Sequence, residues 1–168
     1  MTLFTERKNI RLMNYSYSSR GAYFVTICTA DRKPTLCRFI LRDAVTDPEI
    51  KLSVVGKVVQ ENIGKINSAY PNITVDKYVV MPNHVHLLLQ IHSDSKVVDE
   101  SRSKMLISKV VQSFKASVSR HIADEFKPIW QSRYYDRIVR DESEYLRIWK
   151  YIDDNPITWL DDDYYVGY

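Results

Sequence analysis

The chain is poor in the residues that cross-link a fold or interrupt it. Its 168 residues include two cysteines, four glycines and six prolines. Cys28 and Cys37 do not form a Cys-x-x-Cys motif, and we interpret them as free thiols in a reducing compartment rather than as a disulfide. Because glycine and proline are rare, long disordered linkers are not expected, and residues 1–168 are predicted to form one domain.

Long hydrophobic runs are also missing. No apolar stretch reaches the roughly 18 residues that a membrane-spanning helix needs. The first residues lack the apolar core of a signal peptide, so we expect a cytoplasmic protein. The net charge of +3 permits nucleic-acid binding without requiring it. Residues 1–20 predict a basic arm, and residues 160–168 are expected to form a loose tail.

Hydrophobic periodicity predicts strands and helices that alternate along the chain. Strands are expected at residues 22–29, 36–41, 73–81 and 84–92, with a further extended segment at 128–139. The first two strands are expected to form a hairpin, and residues 43–51 and 93–102 are expected to be irregular. Helices are expected at residues 53–68, 103–126 and 142–154, the last with a capping box made by Asp141 and Glu144. This order predicts an α+β fold in which helices pack on an antiparallel or mixed sheet.

His84 and His86 lie two residues apart in an apolar stretch that covers residues 78–90. Residues two apart on a strand share one face, so the two imidazoles are predicted to stand side by side while Val85 and Leu87 turn to the core. Two imidazoles held in this way can bind a divalent metal ion. Histidines that simply pack in the fold are the ordinary alternative. A structural zinc site is less favoured, because no further cysteine or histidine lies near the pair.

Tyr151 and Asn155 are four residues apart in the last predicted helix and therefore lie on one helical face. The Asn155 amide can supply an oxygen ligand to a metal, and the Tyr151 hydroxyl can act as a nucleophile. Spacing alone leaves alternatives open. Tyr151 is one of twelve tyrosines, and an asparagine before a proline is a common helix ending.

Taken together, these stretches resemble the REP-associated tyrosine transposases, which are single-tyrosine members of the HUH endonuclease superfamily. The two most specific elements are the runs Met81-Pro82-Asn83-His84-Val85-His86 and Tyr151-Ile152-Asp153-Asp154-Asn155-Pro156, in this order. Residues 7–12, 21–28 and 130–140 match as well. Residues 98–101 have no obvious counterpart.

The resemblance implies a fold, a reaction and a substrate. The fold is expected to be the ferredoxin-like antiparallel sheet of HUH endonucleases. Tyr151 is expected to be the nucleophile that becomes joined to a DNA 5′-phosphate. His84, His86 and Asn155 are expected to hold Mg²⁺ or Mn²⁺, with Asn155 at the position that is often glutamine in related transposases. The expected substrate is single-stranded DNA that carries the hairpin of a repetitive extragenic palindrome.

DNA binding is expected to involve basic side chains, and the candidates are Arg7, Lys8, Arg11, Lys104, Lys115 and Arg120. Trp130, Tyr134 and Tyr135 are interpreted as packing aromatics rather than as a platform for bases. The competing hypothesis is a domesticated protein that binds hairpin DNA and does not cut it. The sequence leaves open whether the protein is a monomer or a homodimer.

Overall fold

The computed structural model describes residues 21–40, 47–92 and 100–166. The expected basic arm, with Arg7, Lys8 and Arg11, lies outside these ranges, as do residues 98 and 99. The described chain forms, in order, β1 (Ala22–Cys28), β2 (Cys37–Ile40), β3 (Glu49–Leu52), α1 (Val54–Gly64), α2 (Ile66–Ala69), β4 (Ile73–Val80), β5 (His84–Ile91), α3 (Glu100–His121), β6 (Tyr135–Ile138) and α4 (Glu142–Asp154). Within these ranges, no helix has both the length and the apolar character needed to cross a membrane.

The main sheet contains four antiparallel strands in the order β4-β5-β1-β6. Together with α1 and α3, these strands give the chain order βαββαβ of a ferredoxin-like fold. Strand β5 is buried along its whole length because it lies between two neighbours and is covered on both faces. This position explains why five of its eight residues are apolar.

The two faces of the main sheet bury different side chains. On one, which we call the apolar face, Val85, Leu87 and Leu89 of β5 pack in a core with residues of α1 and α3. On the other, which we call the site face, β5 presents His84, His86 and Leu88, and α4 packs over the sheet. The strand alternation predicted for this stretch is therefore confirmed, including the inward direction of Val85 and Leu87.

Helix α4 begins and ends as its sequence predicts. The Asp141 carboxylate accepts a hydrogen bond from the Glu144 amide at 2.8 Å and caps the first turn. The Glu144 carboxylate accepts from the Arg140 amide at 2.9 Å, one residue before the position expected for a capping box. Tyr145, Ile148 and Ile152 form the buried stripe of the helix. This stripe sets the rotation of α4 on the sheet and with it the direction of Tyr151 and Asn155.

Three predictions for the remaining elements need correction. Strand β2 does not form a hairpin with β1. It pairs with β3, inside a stretch expected to be irregular, and the two make a separate small sheet. The helix predicted for residues 53–68 is divided at Lys65 into α1 and α2. The helix predicted for residues 103–126 begins three residues earlier and ends at His121. Local polarity hid β3, because a short exposed strand buries too little apolar surface to show an alternating pattern.

Candidate active site

The imidazoles of His84 and His86 face each other on the site face, deep in the protein. Both residues are buried, and their Nε2 atoms lie 3.0 Å apart. Strand β1 fixes this register, since Cys28 pairs with His84 and Thr26 pairs with His86. The alternation of side chains along the strand thus places the two rings side by side, as the sequence predicted.

The outer nitrogen of each ring has its own polar partner. The Nδ1 of His84 lies 2.8 Å from the Asn83 side-chain oxygen. The Asn83 amide nitrogen donates to the backbone oxygens of Tyr164 and Arg32, so its oxygen is the atom turned to His84. The Nδ1 of His84 therefore carries the proton and its Nε2 carries the lone pair. A second contact, 2.8 Å from the Thr26 hydroxyl to the Nδ1 of His86, orients the other ring.

Both histidines are held in the neutral form. Burial lowers the pKa of His84 to about 4, and the nearby Asp162 carboxylate opposes this effect only in part. Burial, followed by the charge of His84, lowers the pKa of His86 well below its ordinary value. At neutral pH no proton therefore has to leave before the two Nε2 atoms can bind a cation.

Helix α4 brings Tyr151 and Asn155 to the same place. The Tyr151 hydroxyl lies 3.4 Å from the Nε2 of His86, and the residue remains 40% exposed. Asn155 is fully buried, and its side-chain oxygen has no hydrogen-bond partner among the described residues. A buried amide oxygen without a partner is costly, and a bound cation would remove that cost. All four residues singled out from the sequence for catalysis and metal binding are thus gathered in one chain.

A fifth group, Asp162, was missed from the sequence. Its Oδ2 accepts a hydrogen bond from the Asn155 amide nitrogen and lies 3.5 Å from the Tyr151 hydroxyl. Ligand atoms of His84, His86 and Asp162 all lie within 4.8 Å of one another. The run of three aspartates at residues 161–163 was a visible signal, but nothing in the sequence shows that the chain turns back after Pro156.

The expectation of a loose tail is therefore not met for residues 160–166. The backbone oxygen of Tyr164 accepts a 2.7 Å hydrogen bond from Asn83, and the Tyr164 ring lies 4.6 Å from the His84 ring. The Arg32 guanidinium stacks over Tyr164 at 5.1 Å. Trp159, just before this segment, is buried. These contacts hold the segment against the site and so hold Asp162 in place.

The electrostatics around Tyr151 oppose its ionisation. Burial, and then the charge of Asp162, raise the pKa of the phenol to about 12. An ordinary tyrosine has a pKa near 10. The phenol therefore needs a positive charge nearby before it can react as a phenolate.

The donor set fits a divalent cation. Two imidazole nitrogens and a carboxylate oxygen lie within 4.8 Å of one another. Asn155 bonds that carboxylate through its amide nitrogen, and its amide oxygen has no partner among the described residues. Adjacent ligands of an octahedral ion with bonds of about 2.1 Å lie roughly 3.0 Å apart, which is the separation of the two Nε2 atoms. A site that combines oxygen ligands with imidazole suits Mn²⁺ and Mg²⁺ better than a site built from sulfur ligands does.

The described candidates for DNA binding do not form one surface. The Lys115 ammonium donates to the backbone oxygens of Gln131 and Ser132, so it braces the segment before β6. Lys104 and Arg120 are exposed, but sixteen residues of helix separate them, or about 24 Å. Lys104 lies beside β6, where it lines a groove with Arg137 and Arg140. The sequence did not single out those two arginines for DNA binding.

Comparison with known proteins agrees with this geometry. The family model described as "Transposase IS200 like" matches residues 35–155. A Haemophilus influenzae protein described as uncharacterized is 32% identical over 174 residues, covering 95% of this chain and 93% of that protein. The structure of a REP-associated tyrosine transposase bound to a REP hairpin is similar with a TM-score of 0.52. It is 19% identical, and the match covers 86% of this chain and 72% of that one.

These matches confirm the predicted fold and the predicted transposase family. The structural similarity shows that the antiparallel sheet with its helices has the HUH endonuclease fold, as the motifs implied. The family match includes the histidine pair and the segment from Tyr151 to Asn155. The chain therefore belongs to the IS200-like transposase family.

Proposed function

We propose that this transposase is a metal-dependent single-strand DNA endonuclease and strand transferase that works through a 5′-phosphotyrosine intermediate. The observation that carries the proposal is the Tyr151 hydroxyl, 3.4 Å from the Nε2 of His86 and half-exposed at the edge of a buried donor set. A hydroxyl that only packs in the fold would not need to stand beside two neutral imidazoles and a carboxylate.

His84, His86, Asp162 and Asn155 are the residues that would hold Mg²⁺ or Mn²⁺. A cation held there would polarise a phosphate and favour ionisation of the phenol. Asn83 and Thr26 keep the two histidine rings turned so that each Nε2 points into the site. The Asn155 amide nitrogen donates to Asp162, which leaves the Asn155 oxygen available as a ligand.

In the proposed reaction the Tyr151 oxygen attacks the phosphorus of a DNA phosphodiester in line with the departing 3′-oxygen. The phenol proton leaves to solvent, the new bond joins tyrosine to the 5′-phosphate, and the 3′-oxygen departs and takes up a proton. The reverse attack by another 3′-hydroxyl restores a phosphodiester and frees the tyrosine. Because the bond energy is kept in the phosphotyrosine, strand transfer needs no nucleotide cofactor. Because Tyr151 and His86 meet within one chain, we propose that a monomer carries out this chemistry.

We propose single-stranded DNA with a palindromic hairpin as the substrate. The support is the motif resemblance to REP-associated transposases, together with a similar fold in a transposase whose structure contains a REP hairpin. Acting on DNA of this kind, the protein is expected to work in the cytoplasm.

The test is incubation of the full chain with 5′-extended hairpin oligonucleotides and Mn²⁺, read on a denaturing gel. We expect a covalent protein–DNA adduct that disappears in Tyr151→Phe, while hairpin binding by that variant persists. Tyr145→Phe serves as the matched control, because the Tyr145 hydroxyl binds Asp76 away from the histidines. An adduct that survives in Tyr151→Phe would refute the role of Tyr151.

One observation favours a second candidate, a hairpin-binding protein without cleavage activity. The pKa of Tyr151 is raised to about 12, mainly by burial and then by Asp162, so the site disfavours the reactive phenolate. The same gel decides between the two functions. Normal hairpin binding with no adduct at any Mn²⁺ or Mg²⁺ concentration would establish that the protein binds hairpins without cutting them.

A further inference from the structure

The site face carries a second group of side chains on its outer strand. Strand β6 pairs with β1 so that Tyr135 lies opposite Thr26 and Arg137 lies opposite Phe24. Opposed residues of an antiparallel pair point to the same face. Thr26 contacts His86, so Tyr135 and Arg137 project from the site face too. We call Phe24, Tyr135 and Arg137 the platform.

The platform is continuous with the proposed catalytic site. The Phe24 ring stacks on His86 with centroids 5.0 Å apart and meets the edge of Tyr151 at 6.0 Å. On its other side, the Arg137 guanidinium lies 5.5 Å from the Phe24 ring. Two strand spacings, or about 10 Å, separate the backbone of Tyr135 from that of His86. A DNA strand with a phosphate at Tyr151 therefore passes within reach of these side chains.

The platform is open to solvent. Tyr135 is 56% exposed, the largest fraction of any aromatic side chain in the described ranges, and the Arg137 side chain is 58% exposed. The interpretation of residues 134 and 135 as packing aromatics therefore holds for the partly buried Tyr134 and is wrong for Tyr135. A single exposed ring is ordinary on a protein surface. What distinguishes Tyr135 is its position on the site face, opposite the Thr26 that contacts His86.

The charge around the platform suits a phosphate backbone. From Arg137 a groove of about 580 Å³ continues along the edge of β6. Its lining includes three cationic side chains, Lys104, Arg137 and Arg140, and two carboxylates, Asp136 and Glu144. Glu144 lies 3.6 Å from Arg137 and holds it near Phe24 without cancelling the positive balance of the groove.

We propose that the platform is a nucleotide subsite for the single-stranded segment next to the cleaved bond. Tyr135 stacks on an unpaired base, and Arg137 binds the adjoining phosphate. Aromatic rings and arginines together bind single strands with little dependence on sequence, because every base has a flat face. The inference rests on the proposed function for its substrate, yet it concerns binding and is measurable without cleavage.

The test uses full-length Tyr151→Phe protein, so that no adduct forms, and fluorescence anisotropy with two hairpins, one blunt and one with a single-stranded extension. Tyr135→Ala is expected to weaken binding of the extended hairpin about tenfold. Binding of the blunt hairpin should stay unchanged, and Tyr135→Phe should keep the affinity, since its ring still stacks. Tyr78→Ala is the control, because Tyr78 is also exposed but lies on β4 at the opposite edge of the sheet.

Two further measurements sharpen the result. Arg137→Gln should weaken binding and reduce the slope of log affinity against log salt by about one. A 2-aminopurine placed at successive positions of the extension should be quenched at one position, and Tyr135→Ala should remove that quenching.

Equal loss of affinity for both hairpins, or no loss for either, would overturn the subsite. A change in sedimentation with unchanged DNA affinity would instead assign Tyr135 to contact between copies of the chain, and would overturn it as well. The proposed function is scored separately by the adduct gel. An adduct that forms normally in Tyr135→Ala, with unchanged affinity, refutes the subsite and leaves the nuclease standing.

Discussion

The apolar face and the site face of the main sheet share the strand β5 and differ in almost every other respect. On the apolar face, Val85, Leu87 and Leu89 pack against helices, and their side chains have no polar atoms that need hydrogen-bond partners. The residues next to them along β5 turn to the site face, which buries two imidazoles and an amide beside the Asp162 carboxylate. One face provides the stability that allows the other to keep polar groups in an unfavourable place.

Several groups on the site face are held in energetically unfavourable states. The buried oxygen of Asn155 has no partner in the described part of the chain, both histidines have lowered pKa values, and the pKa of Tyr151 is raised. Perturbed groups of this kind cluster at functional sites more often than in structural cores. The contrast between the faces therefore leads to predictions in which stability and metal binding separate.

The largest difference is expected between two neighbouring residues of β5. Leu87→Ala should lower the free energy of unfolding by about 2–5 kcal/mol, because it leaves a cavity in the apolar core. His86→Leu should cost less, about 1 kcal/mol, because an apolar side chain replaces a desolvated ring. This small cost remains after the polar contacts of the ring with Thr26, His84 and Tyr151 are lost. Urea unfolding in the presence of a chelator measures both.

The same pair should show the opposite order in Mn²⁺ binding, measured by calorimetry on the folded proteins. Leu87→Ala should retain affinity, and His86→Leu should abolish it. If both variants lost stability and metal affinity in parallel, the proposed division of roles would be wrong. The apolar face would then not act mainly in stability, nor the site face mainly in metal binding.

The pH dependence of stability should come mainly from the site face. The unfolded chain protonates His84 near its ordinary pKa of 6.5, whereas the folded chain does so only near pH 4. Protons therefore bind the unfolded state first, and stability falls as the pH is lowered from 6.5 to 4. The expected loss is about 3 kcal/mol from this residue, and His86 adds to it in the same direction.

Urea unfolding of metal-free protein at several pH values tests this expectation. A variant that combines His84→Leu with His86→Leu should show a flatter profile between pH 7 and 4.5. An unchanged profile in that variant would mean that other groups cause the pH dependence of stability.

The smallest predicted effect concerns Asp162. Asp162→Asn should weaken Mn²⁺ binding about 10- to 100-fold in the absence of DNA, since a charged ligand becomes a neutral one. Asp163→Asn is the matched control, because it makes the same charge change at an exposed neighbouring side chain. Equal Mn²⁺ affinities for the two variants would mean that Asp162 acts only through the field of the site and not as a ligand.

The motif residues were predictable because their placement depends on short-range geometry. His84 and His86 share a face on any strand, and Tyr151 and Asn155 share a face on any helix. The capping residue Asp141 and the apolar stripe of α4 also fixed where that helix begins and which side it buries. The exposed strand β3, the pairing of β2 and the exposure of Tyr135 left no comparable signal, because each depends on partners that are distant or polar.

The sequence by itself determined which residues share a face of each element, since the repeats of strand and helix follow from backbone geometry and hold in any surroundings. Only the tertiary structure decided which faces meet. The Tyr151 hydroxyl and the Nε2 of His86 come together across 65 residues of chain, and Asp162 reaches them after the chain turns back. Strand order, helix docking and that reversal are set by the packing of the whole domain, and no local pattern encodes them.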